Sequence, residues 1–356
     1  MKLARNMFAW CTILLSSRLA AQAPVVTVQP AQPSMERSRC CILLNFDFEL
    51  SAPGADTLTL QSIQAVFLDS RGKQLSTQRA PGTTKAIVPG RVTTIANPFT
   101  SIDAKTPFTS VQYTLEFRGP GGIVQAVSTV SPASYLTKTD LVIPVEGRIL
   151  LGAGRDAVAP RSRMDEVVAS RLTGFRRQFN RYGYDLMVID STGALHANGG
   201  TTESDWYGYR AIVVAPAAGV VRVAENHMKD NTLAGPRRDC CAGGDPKWIA
   251  GNYVVIDHEN GECSLLAHLR QGTQSVAPGD RVTRGQRIAE VGLSGDSYTV
   301  PHVHYQLMDS CDFGDAEGLP SRFSSFERLS GPNDGQEVKA HLGPGEIVLV
   351  KPYFKR

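Results

Sequence analysis

The chain has 356 residues, with 37 Lys and Arg against 34 Asp and Glu and a formal net charge of +3. That length is enough for two domains. A balance so near neutral gives no argument for nucleic-acid binding, and it gives no strong draw to anionic surfaces.

At the N-terminus, Lys2 and Arg5 precede an apolar run over residues 7–15, which is followed by Leu19-Ala20-Ala21-Gln22-Ala23. Basic, then apolar, then small residues is the order of a secretory signal, so residues 1–23 are expected to be a signal peptide cut after Ala21 or Ala23. The run is too short to remain as a membrane-spanning helix. Arg18, close to the cleavage site, keeps a retained N-terminal anchor as the alternative. Losing this segment removes Lys2, Arg5 and Arg18 and no acid, which leaves 34 basic and 34 acidic residues. Cys11 goes too. The remaining six cysteines are Cys40, Cys41, Cys240, Cys241, Cys263 and Cys311. An even number in an exported chain predicts disulfides, with the pairing left open. Neither Cys-Cys dipeptide has the Cys-x-x-Cys spacing of a zinc knuckle.

Residues 24–38, rich in Pro, Gln and Val, read as an extended lead-in with little order. Over 39–147 short alternating segments (41–50, 58–68, 86–95, 110–118 and 123–130) are separated by turn signals such as Pro53-Gly54, Pro81-Gly82 and Gly119-Pro120-Gly121-Gly122. That pattern predicts an Ig-like β-sandwich. It holds no constellation of residues that would do chemistry. Residues 148–180 read as a connector, with helical spacing of Val167, Val168, Leu172 and Phe175 over 164–179. A second β-rich region runs over 181–350, with expected strands at 212–214, 219–224, 253–258, 264–269, 287–291 and 303–308. The fold class is therefore all-β, with a sandwich, a short helical connector, and a second β-sheet or β-barrel domain.

The segment Pro301-His302-Val303-His304-Tyr305-Gln306-Leu307 sits in a run of strand-forming residue types. Residues i and i+2 of a strand share a face, so the two imidazoles would stand about 6.5–7 Å apart. One could hold a divalent metal while the other sits beside metal-bound water. Taken alone, the pair could equally be two surface or core histidines.

Other motifs accompany it in a fixed order: Tyr182-Gly183-Tyr184-Asp185, Ala215-Pro216-Ala217-Ala218-Gly219-Val220-Val221, Gly251-Asn252-Tyr253-Val254-Val255-Ile256-Asp257-His258, Ala267-His268-Leu269, Gly279-Asp280-Arg281-Val282 with Gly285-Gln286, and Gly292-Leu293-Ser294-Gly295. Together with His302-Val303-His304, they make residues 182–326 resemble the LytM/lysostaphin-type zinc metallopeptidases, exported enzymes that cut peptide bonds in peptidoglycan. The resemblance implies Asp185 and His304 as zinc ligands. It implies His268 and His302 as neighbours of the open coordination position, acting on the attacking water and the tetrahedral intermediate. It further implies a periplasmic, envelope or extracellular location and peptidoglycan peptide as substrate.

One residue departs from the family pattern. Its first ligand is a histidine four residues before the aspartate, and Arg181 stands there. A guanidinium has no lone pair to give. Either another group substitutes, with His196 the nearest histidine in sequence, or the domain is a degenerate module that binds peptidoglycan or activates a partner hydrolase. His227, His258 and His341 are expected in loops or turns facing solvent. A serine nucleophile at Ser294 or Ser297 lacks the Gly-x-Ser-x-Gly elbow. A biotinyl- or lipoyl-type carrier would need a lysine at its hairpin tip, and 293–300 has none.

Overall fold

The computed structural model describes residues 22–37, 41–83, 85–99, 101–103, 105–152, 175, 177–233, 246–297, 299–330, 335–337, 342 and 345–353. The expected signal peptide and the expected helix over 164–179 fall almost wholly outside these residues. Among the described residues every regular element is a strand or a short 3₁₀ turn.

The long strands of the N-terminal half alternate buried and open positions, as Leu58–Leu68 does, because one face packs and the other meets solvent. Leu58–Leu68 pairs with Ser110–Gly119 and Gln74–Pro81, and Ser110–Gly119 pairs in turn with Gly122–Val130. A second sheet joins Val25–Gln29, Asp47–Ser51 and Val92–Ala96. Phe48 and Leu50 of this sheet share one core with Ile63, Phe67, Tyr113 and Phe117 of the first. Phe46, Phe48 and Tyr113 meet edge to face inside it. The lead-in expected to have little order is strand instead. Val25–Gln29 completes the second sheet, and Ser34–Arg37 pairs with Cys41–Leu44. Its apolar residues gain burial by pairing, which the Pro-rich composition had masked.

The C-terminal half is built on one eleven-stranded sheet. Its path runs Arg281–Val282, Gly219–Glu225, Asn252–Asp257, Cys263–Leu269, Val303–Met308, Tyr184–Ile189, Gly147–Leu151, Ile347–Val350, Phe326–Ser330, Gly335–Glu337, with Gly318–Leu319 added beside Val303–Met308. The path has two open ends, so the described sheet is not a closed barrel. Gly147–Leu151, which straddles the expected boundary of sandwich and connector, is a central strand between Tyr184–Ile189 and Ile347–Val350. Leu186, Val254, Leu266, Val303 and Leu307 form the core beneath. Cys263 and Cys311 are bonded, tying the Cys263–Leu269 strand to the turn after Val303–Met308. Of the other cysteines, Cys40, Cys240 and Cys241 lie outside the described residues.

Candidate metal centre

Three neighbouring strands place the predicted site residues side by side. Asp185 lies directly across from His304, and His304 has Ala267 on its other side. His268, the next residue, turns its backbone into the left-handed region at φ 62°. This conformation is costly for a residue with a β-carbon and recurs at functional sites. The amide of Gly292 holds it by donating to the His268 carbonyl at 3.0 Å.

The four predicted side chains come together. His304 Nδ1 is 2.9 Å from Asp185 Oδ1, and His302 Nε2 is 3.5 Å from the same oxygen. The ring of His268 lies 4.8 Å from that of His302 and 6.0 Å from that of His304. Backbone carbonyls fix two of the tautomers. His302 Nδ1 is 2.8 Å from the Val300 carbonyl, and His268 Nδ1 is 2.9 Å from that of Ser294. A carbonyl only accepts, so each Nδ1 carries the proton and each Nε2 keeps its lone pair for the site. Burial holds the His268 pKa well below the ordinary value, and the imidazoles of His302 and His304 add to the effect. Burial works against the Asp185 carboxylate, but His302, His304 and His268 outweigh it and hold its pKa below the ordinary value.

The loop behind His268 is held by amides and hydroxyls. Ser294 Oγ accepts from the Asn252 amide at 2.8 Å and donates to the Leu269 carbonyl at 2.7 Å. Asn231 Nδ2 donates to the Gly295 carbonyl at 2.7 Å. Ser294 and Ser297 thus serve as struts, in keeping with the absence of a nucleophile elbow.

Arg181 does not enter the site. It is 1% exposed and turned toward the N-terminal half. Its Nε donates to Glu317, its Nη1 to Asn45 Oδ1 at 2.7 Å, and its Nη2 to Asp47 Oδ2 at 2.7 Å. Tyr182, at φ 67°, follows it, and its hydroxyl donates toward the carbonyls of Ser34 and Asn45 at 3.1 and 3.3 Å. His196 is not a substitute ligand. Its ring meets that of Trp206 at a tilt, with centroids 4.8 Å apart, and the two residues pair through the backbone. Among the described His, Cys, Asp and Glu side chains, the sole three-donor grouping is Asp257 with the disulfide-bonded Cys263 and Cys311, whose sulfurs are already committed to each other.

The remaining histidines have simpler settings. His227 is exposed, its Nδ1 3.0 Å from Glu225. His258, expected to face solvent, is half-buried instead, bonded to the Ala218 carbonyl and to Ser264 Oγ at 2.8 Å each. The bend before the Gly219–Glu225 strand supplies the first partner and the Cys263–Leu269 strand the second. His341 lies outside the described residues. Two polar residues beside His304, Asn180 and Gln306, escaped the sequence reading. Gln306 left one signal, an amide in an otherwise apolar strand segment, and the structure buries it completely.

Residues 207–315 match the model of Peptidase family M23. His268, His302 and His304 fall inside that match, and Asp185 precedes it. Over 61 residues the chain is 48% identical to the peptidoglycan DD-endopeptidase ShyA of Vibrio cholerae, an overlap of 17% of this chain and 13% of that protein. The chain therefore spans about an eighth of the curated relative it matches. Among solved structures, an M23 peptidase of Pseudomonas aeruginosa covers 69% of this chain and 82% of its own at 17% identity and a TM-score of 0.27. A zinc-containing peptidase of Vibrio cholerae covers 61% and 82% at 12% identity and a TM-score of 0.21. Scores this low carry no argument about the site.

Proposed function

We propose that the protein, whose residues 207–315 match the model of Peptidase family M23, is an exported zinc metalloendopeptidase acting on peptidoglycan peptides. The observation that carries the reading is the gathering of Asp185, His268, His302 and His304 on three adjacent strands, with two lone pairs and one carboxylate turned inward. The 48% identity to a peptidoglycan DD-endopeptidase over 61 residues supports the substrate class. Export rests on the residue order over 1–23. No described helix is long and apolar enough to cross a membrane.

Asp185 Oδ1 and His304 Nδ1 are the groups that would hold zinc. Their 2.9 Å separation is one that two ligands of a single ion, each bonded at about 2.0–2.2 Å, can adopt. His304 Nε2, buried and without a partner, leaves the outer edge of the ring free to carry the proton when Nδ1 binds an ion. The pair fits a metal, with fewer side-chain ligands than the three usual in a catalytic site. Bound zinc would polarise a peptide carbonyl and lower the pKa of its water toward about 7.

The chain's own residues do the remaining work. His268 is kept neutral by burial, so its Nε2 accepts a proton at working pH. His302 Nε2, held in place through the Val300 carbonyl, accepts a hydrogen bond from the attacking water or, once protonated, donates to the oxyanion. Apolar strands beneath the cluster exclude bulk water and strengthen each of these interactions.

A second reading is favoured by Arg181. With the family's first ligand position turned to an ion network, a non-catalytic module that binds peptidoglycan or a partner hydrolase also accommodates the geometry. Zinc content and peptidoglycan digestion by the purified mature protein decide between them. The enzyme reading expects zinc near one equivalent and turnover that chelator and His304→Ala both abolish. Zinc below a tenth of an equivalent with no turnover would leave the binding module.

A further inference from the structure

Three buried polar atoms around one glycine have no hydrogen-bond partner: Asn180 Oδ1, Gln306 Oε1 and His304 Nε2. A Cβ built on Gly183 would lie 2.6 Å from the first, 2.7 Å from the second and 3.0 Å from His304 Cε1, the ring carbon bonded to Nε2. Such a Cβ would push these side-chain ends apart, so glycine leaves the room in which the three groups meet. Buried polar atoms without partners are rare, and each costs about 1–3 kcal/mol. Three at one point call for a common explanation.

Proton counting supplies one. Asn180 Oδ1 and Gln306 Oε1 can only accept. The Gln306 amide orientation is set, because its Nε2 donates to the carbonyls of Arg181 and Leu307 at 2.8 Å each. With no ion present, a neutral His304 carries its single ring proton on Nδ1, 2.9 Å from the Asp185 carboxylate. Nε2 is then a lone pair beside two further acceptors, and nothing joins them. If Nδ1 instead gives its lone pair to a cation, the proton moves to Nε2 and both amide oxygens gain a donor.

We propose that Asn180 and Gln306 are positioning residues for the metal, holding His304 as the Nε2–H tautomer so that its Nδ1 lone pair faces Asp185. A small rotation of the Asn180 amide, or one bridging water, would join them. Outer partners of this kind orient a ligating imidazole and raise its basicity. They would strengthen a site that has lost the ligand expected at Arg181. The assignment rests on the metal reading above.

The test is zinc titration against a chromophoric chelator, together with long-range proton–nitrogen NMR of the zinc-loaded, histidine-labelled protein. The double variant Asn180→Ala/Gln306→Met is expected to bind zinc about 10–100-fold more weakly. Asn180→Asp, which keeps an acceptor, should stay near wild type. In zinc-loaded wild type the His304 proton should reside on Nε2. A double variant that binds as tightly as wild type, or a zinc-loaded His304 protonated at Nδ1, overturns the assignment and leaves the metal reading standing. Wild type that takes up no zinc overturns both. Should the double variant fail to fold, the wild-type spectrum alone decides.

Discussion

One short segment, residues 180–185, feeds two buried polar clusters of opposite character. On one side Arg181 gives each guanidinium nitrogen a partner among Glu317, Asn45 and Asp47. On the other, His304 Nε2, Asn180 Oδ1 and Gln306 Oε1 have none, and His302 Nε2 lies 3.5 Å from the Asp185 carboxylate. A network whose donors and acceptors match stabilises a junction; one left with surplus acceptors is arranged for something that arrives later. On the function proposed above, the difference gives structure to the first cluster and chemistry to the second, although both began at positions where the resemblance places metal ligands.

The largest effect expected from that division concerns His268. If it is the base, His268→Ala should lower peptidoglycan cleavage by roughly 10²–10⁴-fold while leaving zinc affinity close to wild type. Parallel kinetic and zinc-binding measurements would separate the two quantities. Loss of zinc in step with activity would move His268 from the chemistry to the ligand set and blur the comparison.

Arg181→His tests the other cluster. It puts back the residue type the family carries, yet the left-handed turn at Tyr182 goes with a 181 side chain aimed at Asn45 and Asp47. The expected result is no tighter zinc binding and a loss of about 3–5 kcal/mol in stability, because Asp47 and Glu317 lose a buried partner. Urea unfolding of the metal-free variant and a zinc titration give both numbers. A variant that gains zinc affinity without losing stability would show that the guanidinium displaced a ligand and held nothing together.

Much of the second cluster was legible beforehand. His302 and His304 in strand spacing, His268 between small apolar residues, and Asp185 after Tyr-Gly-Tyr all carry their chemistry in residue type and order, and the structure brings them together. Arg181 was legible only as an absence, since its partners Asn45 and Asp47 are more than 130 residues away. Asn180 and Gln306 were silent for a related reason. An amide becomes informative only when its neighbours are known to be acceptors too. The lead-in and the Gly147–Leu151 strand were misjudged because composition reports local propensity, while pairing with distant strands decides the outcome.

A smaller effect should follow from reducing Cys263–Cys311. The bond spans 48 residues and ties the strand bearing His268 to the turn that follows the strand bearing His304. Restricting a loop of that length contributes roughly 2–4 kcal/mol. Unfolding midpoints of the protein with and without reductant, beside a Cys263→Ala/Cys311→Ala variant, measure it. If the catalytic cluster depends on this clamp, zinc affinity should weaken along with the midpoint; unchanged affinity would mean the sheet alone sets the site.

The smallest effect concerns a third buried charge, Glu262, which resembles Arg181 in being fully partnered. Its Oε1 accepts from the Tyr135 hydroxyl at 2.6 Å and the Lys138 amide at 2.8 Å, and its Oε2 from the Thr139 amide at 2.8 Å and hydroxyl at 2.6 Å. Burial opposes the charge, but these donors outweigh it and hold the carboxyl pKa below the ordinary 4.5. A carboxyl depressed in the folded state stabilises the fold fully above its unfolded pKa, and the contribution fades as pH falls through the lower folded value. Glu262→Gln turns an amide donor toward groups that are themselves donors, so it should cost about 1–3 kcal/mol at pH 7. It should also flatten the decline in stability below pH 4.5 relative to wild type. Equal slopes in the two proteins would mean that the donors hold the carboxyl no better than water does. Full pairing would then be a poor guide to which buried clusters are structural, at Arg181 as well as here.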